Sequence, residues 1–545
     1  MSRGARERRE GEGMTPALRF PPCDIIAGEP RDLGTGSGPV MMSHNPARPR
    51  HVVWRGHSCP DHVDEAVAAA RASFPKWRAA SLEQRIAALR EYQRLATART
   101  GSMAELICDE TGKAMWDSLG EAKLLAEKVD ITLSESEASG RHRVRDFEIQ
   151  IADSRKGVCR FRPHGVMAVI GPYNFPAHLP NGHIVPALLM GNTIVFKPSD
   201  KTPAVGQMLA ELLVEALERT GAPPGVVNLV QGGADVASRL VAHADIDGIL
   251  FTGSWPVGRR ILEANLDRPG RIIALEMGGN NAAVVLADAD LKQAAIECAR
   301  AAFISTGQRC TCTRRIIVER SIARRFVPLL AKVASNLVIG DPRGGSGGDA
   351  GHPVFMGPII RAEARDAVLK FQSDLVRGGG RVVMESTALN LSDGGHFITP
   401  GIIAVPGFTL ADDPRADCGC DVEVFGPLVR IAECRDLEHA ISQANASRFG
   451  LAASIFTRDR AAAEGFLGEV RAGCLNVNTG TAGASGRLPF GGLGRSGNHR
   501  PAGSFSLDYC AYPTAGLVET GSASVLPPGM RFDDSWIGSI PPSEG

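Results

Sequence analysis

The chain has 545 residues, too many for one compact domain, so two or three are expected. Its 60 Lys and Arg balance 60 Asp and Glu, which excludes a global field that would draw it to nucleic acid or to an anionic membrane. A hydrophobic fraction of 43% with 22% charged residues is that of an ordinary globular protein, and no run of about twenty apolar residues exists to span a bilayer.

The 12 cysteines are scattered, without paired C-x-x-C motifs, so neither a zinc site nor any other metal is expected. Residues 1–13 are mostly Arg, Glu and Gly and lack the apolar core of a signal peptide, which makes a reducing cytoplasm with free thiols the expected location. Residues 1–20 read as a disordered tail, with Met14 as a second possible start. The pattern over 62–74 predicts an amphipathic helix with Val63, Ala66, Val67, Ala70 and Phe74 on one face, stopped by Pro75. Residues 81–111 are helical again, opened by a capping box of Ser81 and Gln84.

Short apolar runs then follow at 165–170, 193–196, 226–230 and 248–252, most of them after a helical stretch. Such alternation means βαβ units and a parallel sheet. A second series starts near Ile272 and runs to about residue 470, with strands at 281–286, 315–318 and 452–456. Two α/β domains in series are the coarse reading. Ragged strand-like stretches at 144–159 and 504–513 read as strands that leave the body of the subunit, and 522–545 is Pro- and Ser-rich and loose.

Five motifs carry chemistry. Gly307-Gln308-Arg309-Cys310-Thr311-Cys312 offers a thiol with Arg309, Arg314 and Arg315 close in sequence, cations that would favour a thiolate. A Cys in such a string is otherwise a small buried hydrophobe, and Cys312 reads that way. Leu275-Glu276-Met277-Gly278-Gly279 sets a lone carboxylate between apolar residues and a Gly pair, where burial would raise its pKa and fit it for general base work; the plainer alternative is a helix cap. In Gly171-Pro172-Tyr173-Asn174-Phe175-Pro176 two prolines hold a turn whose Asn amide either donates to an oxyanion or only stabilises the turn. Phe251-Thr252-Gly253-Ser254, continued to Gly258, is a strand-to-helix turn whose amides can meet a pyrophosphate. Lys197 and Asp200, at a strand end, suit ribose hydroxyls, and the acidic residue repels a 2′-phosphate.

Taken together and in this order, the motifs resemble those of the aldehyde dehydrogenase superfamily over residues 38–515. The 34-residue gap between Glu276 and Cys310, the string Glu423-Val424-Phe425-Gly426-Pro427 and the string Pro489-Phe490-Gly491-Gly492 are similar to the family's pattern. Within the superfamily, His178-Leu179-Pro180-Asn181-Gly182-His183, Ser496-Gly497-Asn498-His499-Arg500-Pro501 and Asp508-Tyr509-Cys510-Ala511-Tyr512-Pro513 look most like the succinylglutamate semialdehyde dehydrogenases, which act in arginine catabolism by the arginine succinyltransferase pathway.

The resemblance implies two Rossmann-like α/β domains plus a small oligomerisation β-flap. Residues 1–37 would be a disordered or polar extension. Residues 38–143 and 162–275 would bind NAD, 276–502 would form the catalytic domain, 144–161 and 503–515 the oligomerisation segments, and 516–545 a loose tail. It implies Cys310 as nucleophile, Glu276 as base and Asn174 as oxyanion donor. Lys197, Asp200, Gly253, Ser254, Gly258, Glu423 and Phe425 would hold NAD, with NADP less favoured. The partners implied are an aldehyde, neither nucleic acid nor membrane, and further copies of the chain in a homodimer or homotetramer. Cations for a carboxylate-bearing substrate would come from Arg309, Arg487, His499 or Arg500, each of which is otherwise a solvated charge or an intersubunit pair. Three departures stand out: Thr479-Gly480 in the loop at the substrate mouth, Trp255-Pro256 in the pyrophosphate turn, and Asp200 where Glu is usual. The first leaves open a different ω-semialdehyde as substrate; a non-catalytic scaffold on this fold is the reading from another class.

Overall fold

The computed structural model describes all residues except 1–20, 138, 345–351, 392–393, 411–418, 523 and 540–545. The expected tail at 1–20 lies outside the described residues. Two seven-stranded sheets organise the chain. The first runs in the order Ile272–Met277, Gly248–Gly253, Val166–Ile170, Thr193–Lys197, Val227–Leu229, Cys23–Ile26, Glu29–Asp32. Its first five strands are parallel. The second runs in the order Arg381–Met384, Gly401–Ala404, Leu428–Cys434, Thr313–Glu319, Asn281–Val285, Ala452–Phe456, Cys474–Val477.

Each sheet is covered on both faces. Met167, Val169, Ile194 and Phe196 pack into one core with the helices Leu82–Ala98 and Pro203–Arg219, while Val166, Ala168, Val195 and Ile249 pack on the other face against His62–Ala79. Ala282 and Val284 divide from Ala283 and Val285 in the same way in the second sheet. Alternate side chains point to opposite faces of a strand, so a sheet buried twice reads as a continuous apolar run, which is why these strands were legible.

Several boundaries differ from the sequence reading. Residues 23–32 are not a loose extension: Cys23–Ile26 pairs antiparallel with Val227–Leu229 and with Glu29–Asp32, closing the sheet edge. The segment looks polar because its outer strand is exposed, whereas Ile25 and Ile26 are buried. Asp24 ties it down, accepting from the Gln231 amide at 2.5 Å and meeting His62 at 2.8 Å. The first helix passes through Pro75 to Ala79. Proline costs one backbone bond there, and buried Trp77, donating to the Leu188 carbonyl at 3.2 Å, anchors the last turn. Ile272–Met277 belongs to the first sheet, not the second; an apolar run carries no mark of the sheet it joins. The capping box of Ser81 and Gln84 is present.

The ragged stretches form a separate three-stranded sheet, Phe147–Ala152, Arg155–Pro163 and Ala511–Glu519. The last strand extends four residues into the expected loose tail, because Gly516–Glu519 pairs with Arg155–Val158. Residues 504–510 precede it as turns. No helix of the described residues is long and apolar enough to cross a membrane.

Candidate active site

The parallel strands of the first sheet end at Ile170, Lys197, Gly253 and Met277, and a cleft of about 600 Å³ opens at those carboxyl ends. Open α/β sheets present ligand sites there because loops and helix N-termini converge on it. Asn174, Lys197, Asp200, Gly253, Ser254, Glu276, Cys310, Glu423 and Phe425 all line the cleft. Gly258 does not. It is buried, and a Cβ on it would lie 2.3 Å from the Met277 sulfur, so it is a packing glycine between helix and strand.

The Cys310 loop is held by backbone strain and by buried side chains. Ser305, Thr306 and Gly307 are consecutive left-handed residues with φ of 51°, 57° and 70°. A Cβ on Gly307 would meet the Gly426 carbonyl at 2.2 Å, so only glycine lets this loop approach the Glu423–Pro427 segment. The Ser305 hydroxyl donates to Asp117 at 2.5 Å and Thr306 to the Gly357 carbonyl at 2.8 Å. The Asn174 amide donates to the Gln308 carbonyl at 3.0 Å, which aims this side chain at the Cys310 loop and leaves its second N–H for another acceptor.

The arginines expected to activate the thiol are committed elsewhere. Arg309 pairs with buried Asp117 at 2.6 Å, Arg314 donates to the Gly426 and Arg309 carbonyls, and Arg315 to the Asn280, Gln443 and Ala444 carbonyls. Burial, with the Glu276 and Glu423 carboxylates, pushes the Cys310 thiol well above its ordinary value. Cys312 is fully buried against Ile304, Ala301 and Ala482, a packing residue as expected.

Glu276 is 1% exposed, and neither carboxyl oxygen has a hydrogen-bond partner. Burial raises its pKa well above the ordinary carboxylate range, with Arg500 opposing. Glu423 accepts from the Gly279 amide at 3.1 Å; burial lifts it to about 7 against Arg314 and that amide. A Cβ on Gly278 would overlap the Glu423 carboxylate, so glycine is required for this closeness.

At the other end, burial lowers buried Lys197 to about 8, and its ammonium donates to the Pro198 carbonyl at 2.9 Å. Burial pushes Asp200 up, but Lys201, at 3.3 Å, and Lys197 outweigh it and hold the carboxyl below its usual range. Ser254 is the N-cap of the helix Trp255–Glu263, yet its hydroxyl makes no capping bond. Pro256 has no N–H, and the Val257 and Gly258 amides are used by the Ser254 carbonyl. The turn therefore offers fewer backbone donors than its glycines suggested, and more rests on the Ser254 side chain. Among the described residues no cluster of three or more His, Cys, Asp or Glu could hold a metal ion.

Asp117, Ser305 and Asn281, which hold the Cys310 loop, and Lys201, beside Asp200, were missed in the sequence. Nothing in the sequence marks Asn281 as a brace, because its partners are 29 and 31 residues away.

The aldehyde dehydrogenase family matches residues 35–514. The chain belongs to the aldehyde dehydrogenase family. An N-succinylglutamate 5-semialdehyde dehydrogenase of Caulobacter sp. (strain K31) is 43% identical over 494 residues, 90% of this chain and 96% of that one. One of Chromobacterium violaceum is 41% identical over 88% of this chain and 94% of its own. Among solved structures, PnpE in complex with nicotinamide adenine dinucleotide superposes with a TM-score of 0.84 at 29% identity, covering 94% of this chain and all of that one.

In this aldehyde dehydrogenase the divergent loop is well braced. Glu297 accepts from the Thr479 hydroxyl at 3.0 Å and the Gly480 amide at 2.8 Å, and Arg300 donates to the Ala482 carbonyl at 2.9 Å. Two buried ion pairs, Lys113 with Glu121 and Arg309 with Asp117, flank the Phe175 ring. Their charges cancel, so Arg309 is not a spare cation for a substrate carboxylate.

Proposed function

We propose that this enzyme oxidises N-succinylglutamate 5-semialdehyde to N-succinylglutamate with NAD, in the cytoplasm, as a step of arginine catabolism. The observation that carries the chemistry is the meeting of Cys310, Glu276 and Asn174 in one cleft with Lys197, Ser254 and Glu423. The identity of the relatives carries the substrate.

The cleft suits a dinucleotide. Lys197 and Asp200 would hold the adenosine ribose, Ser254 the pyrophosphate and Glu423 the nicotinamide ribose, with Phe425 beside it. Bound NAD accepts a hydride. Cys310, once deprotonated, attacks the aldehyde carbon, and the free Asn174 N–H with the Cys310 amide stabilises the resulting oxyanion. One such donor contributes ~3 kcal/mol to a transition state. Loss of hydride leaves a thioester on Cys310. Glu276 takes a proton from water as its oxygen bonds to the thioester carbon, the C–S bond breaks, and the carboxylic acid departs. Asp200 keeps the preference for NAD over NADP.

The flap suits a homodimer or homotetramer: Phe147, Ile149 and Ile151 are about half exposed and alternate on one face of an edge strand. The Thr479-Gly480 loop and the neutralised Arg309 favour one second reading, a different ω-semialdehyde. The deciding experiment follows reduced nicotinamide with succinylglutamate, glutamate and succinate semialdehydes, each with NAD and NADP. A hundredfold lead in kcat/KM for the succinylated compound, about 2.7 kcal/mol, supports the first reading; a lead for another aldehyde overturns it.

A further inference from the structure

Glu276 sits next to the end of Ile272–Met277, an edge strand of the first sheet. The chain at 496–498 lies along the free side of that strand. The Met277 amide donates to the Ser496 carbonyl at 2.9 Å, Gly497 forms an antiparallel bridge with Glu276, and the Asn498 amide donates to the Leu275 carbonyl at 3.1 Å. The Asn498 side chain closes the register, accepting from the Leu275 amide at 2.7 Å and donating to the Ile273 carbonyl at 3.0 Å. A Cβ on Gly497 would lie 2.3 Å from the Leu275 carbonyl oxygen and 3.5 Å from the Glu276 Cα, so only glycine permits this approach.

The next two residues, His499 and Arg500, both hold left-handed backbones with φ of 55° and 51°. Non-glycine residues persist there only when their surroundings over-determine them. Here the Arg500 Cα is wedged against Gly491, whose missing Cβ would lie 2.6 Å away, and the Pro501 carbonyl accepts from the buried Tyr509 hydroxyl at 2.9 Å. The backbone of Arg500 is thus fixed three residues from the bridge partner of Glu276.

The titratable groups that act on one another around Glu276 are Arg500, the thiols of Cys310 and Cys474, and the Tyr509 hydroxyl. Arg500 is the cation among them. It does not line the cleft. Burial raises the Glu276 carboxyl and the Cys474 thiol, and Arg500 opposes the rise in both.

We propose that Arg500 is the counter-charge that lets Glu276 ionise and so sets the pH above which thioester hydrolysis runs. A carboxylate with no hydrogen-bond donor in a dry site needs a nearby positive charge to exist as a base at all. Arg500 is a positioning residue: it acts through Glu276 and touches neither aldehyde nor cofactor. This rests on reading Glu276 as the base.

The test uses the full chain with Arg500→Met, Arg500→Lys and Glu276→Gln. Two quantities are followed across pH: the burst of reduced nicotinamide, which reports thioester formation, and steady turnover, which reports hydrolysis when that step is slow. Arg500→Met is expected to keep the burst amplitude while its steady turnover falls about tenfold at pH 7, the acid limb moving up by about one unit. Arg500→Lys is expected to hold the limb near its native position. Glu276→Gln is expected to lose steady turnover at every pH. Should Arg500→Met lose its burst, Arg500→Gln takes its place against Arg500→Lys, and equal limbs in those two overturn the proposal. An unmoved limb in Arg500→Met overturns it too, while loss of turnover in Glu276→Gln leaves the base reading standing. Undiminished turnover in Glu276→Gln overturns both.

Discussion

Asn281 donates through Nδ2 to the carbonyl oxygen of Cys310 at 2.8 Å. The same nitrogen serves the Cys312 carbonyl at 2.8 Å, and its Oδ1 accepts from the Ala452 amide at 3.0 Å. One buried side chain thus ties the Cys310 backbone to the second sheet. Asn281→Ala leaves three buried backbone groups without partners, at about 1 kcal/mol or more each. A loss of about 3 kcal/mol in chemical denaturation is expected, with a larger proportional loss in turnover than in cofactor affinity.

Asp117 stabilises the same loop from the other side. Its burial raises the carboxyl, but Arg309 and Lys113 outweigh this and hold it below its unfolded value. A lowered pKa contributes stability above the unfolded value, near 4, which is lost as pH falls through the folded one. Asp117→Asn should cost about 3 kcal/mol at neutral pH, because it leaves Arg309 uncompensated. Its melting temperature should approach that of the native protein as the solution is acidified.

Alkylation of Cys310 by iodoacetamide should be slow at neutral pH and rise with a limb well above that of a free thiol, since burial and two carboxylates disfavour the thiolate. Glu276→Gln removes one of those carboxylates. The limb should then move to lower pH while staying above the free-thiol value, because burial remains. A limb that moves upward would contradict the placement of Glu276 beside the thiol.

In the function proposed above Asp200 is the group set against a 2′-phosphate, and Lys201, at 3.3 Å, partly neutralises it. Asp200→Ser should narrow the ratio of kcat/KM for NAD over NADP by about tenfold, or ~1.4 kcal/mol. Lys201→Ala, which leaves Asp200 less neutralised, should widen it. The ratio measured for both variants in one buffer checks the sign.

Ile149→Asp places a charge in the apolar row of the flap's outer strand. Sedimentation should show a shift towards monomer, with melting of the monomeric fold changed by less than about 1 kcal/mol, since the residue is exposed within the subunit.

The sequence by itself determined the two α/β sheets, most of their strands and nine of the ten residues placed around the cleft. Double burial writes a strand as an apolar run, and glycine, proline and a lone polar residue mark the turns where such strands end. The Cys310 string and the Glu276-Met277-Gly278-Gly279 string were legible as places in the cleft because the residues that mark them are adjacent in sequence. The tertiary structure alone decided which charges act on that chemistry. Arg309 adjoins Cys310 in sequence but is turned to Asp117, 192 residues away, while Arg500, far along the chain, comes back to Glu276 through the bridge at Gly497. It also decided that Gly258 packs against Met277 outside the cleft lining, that Pro75 does not end its helix, and that residues 23–32 close a sheet. Each of these depends on a partner distant in sequence, and electrostatic and packing energies follow distance in space rather than position along the chain.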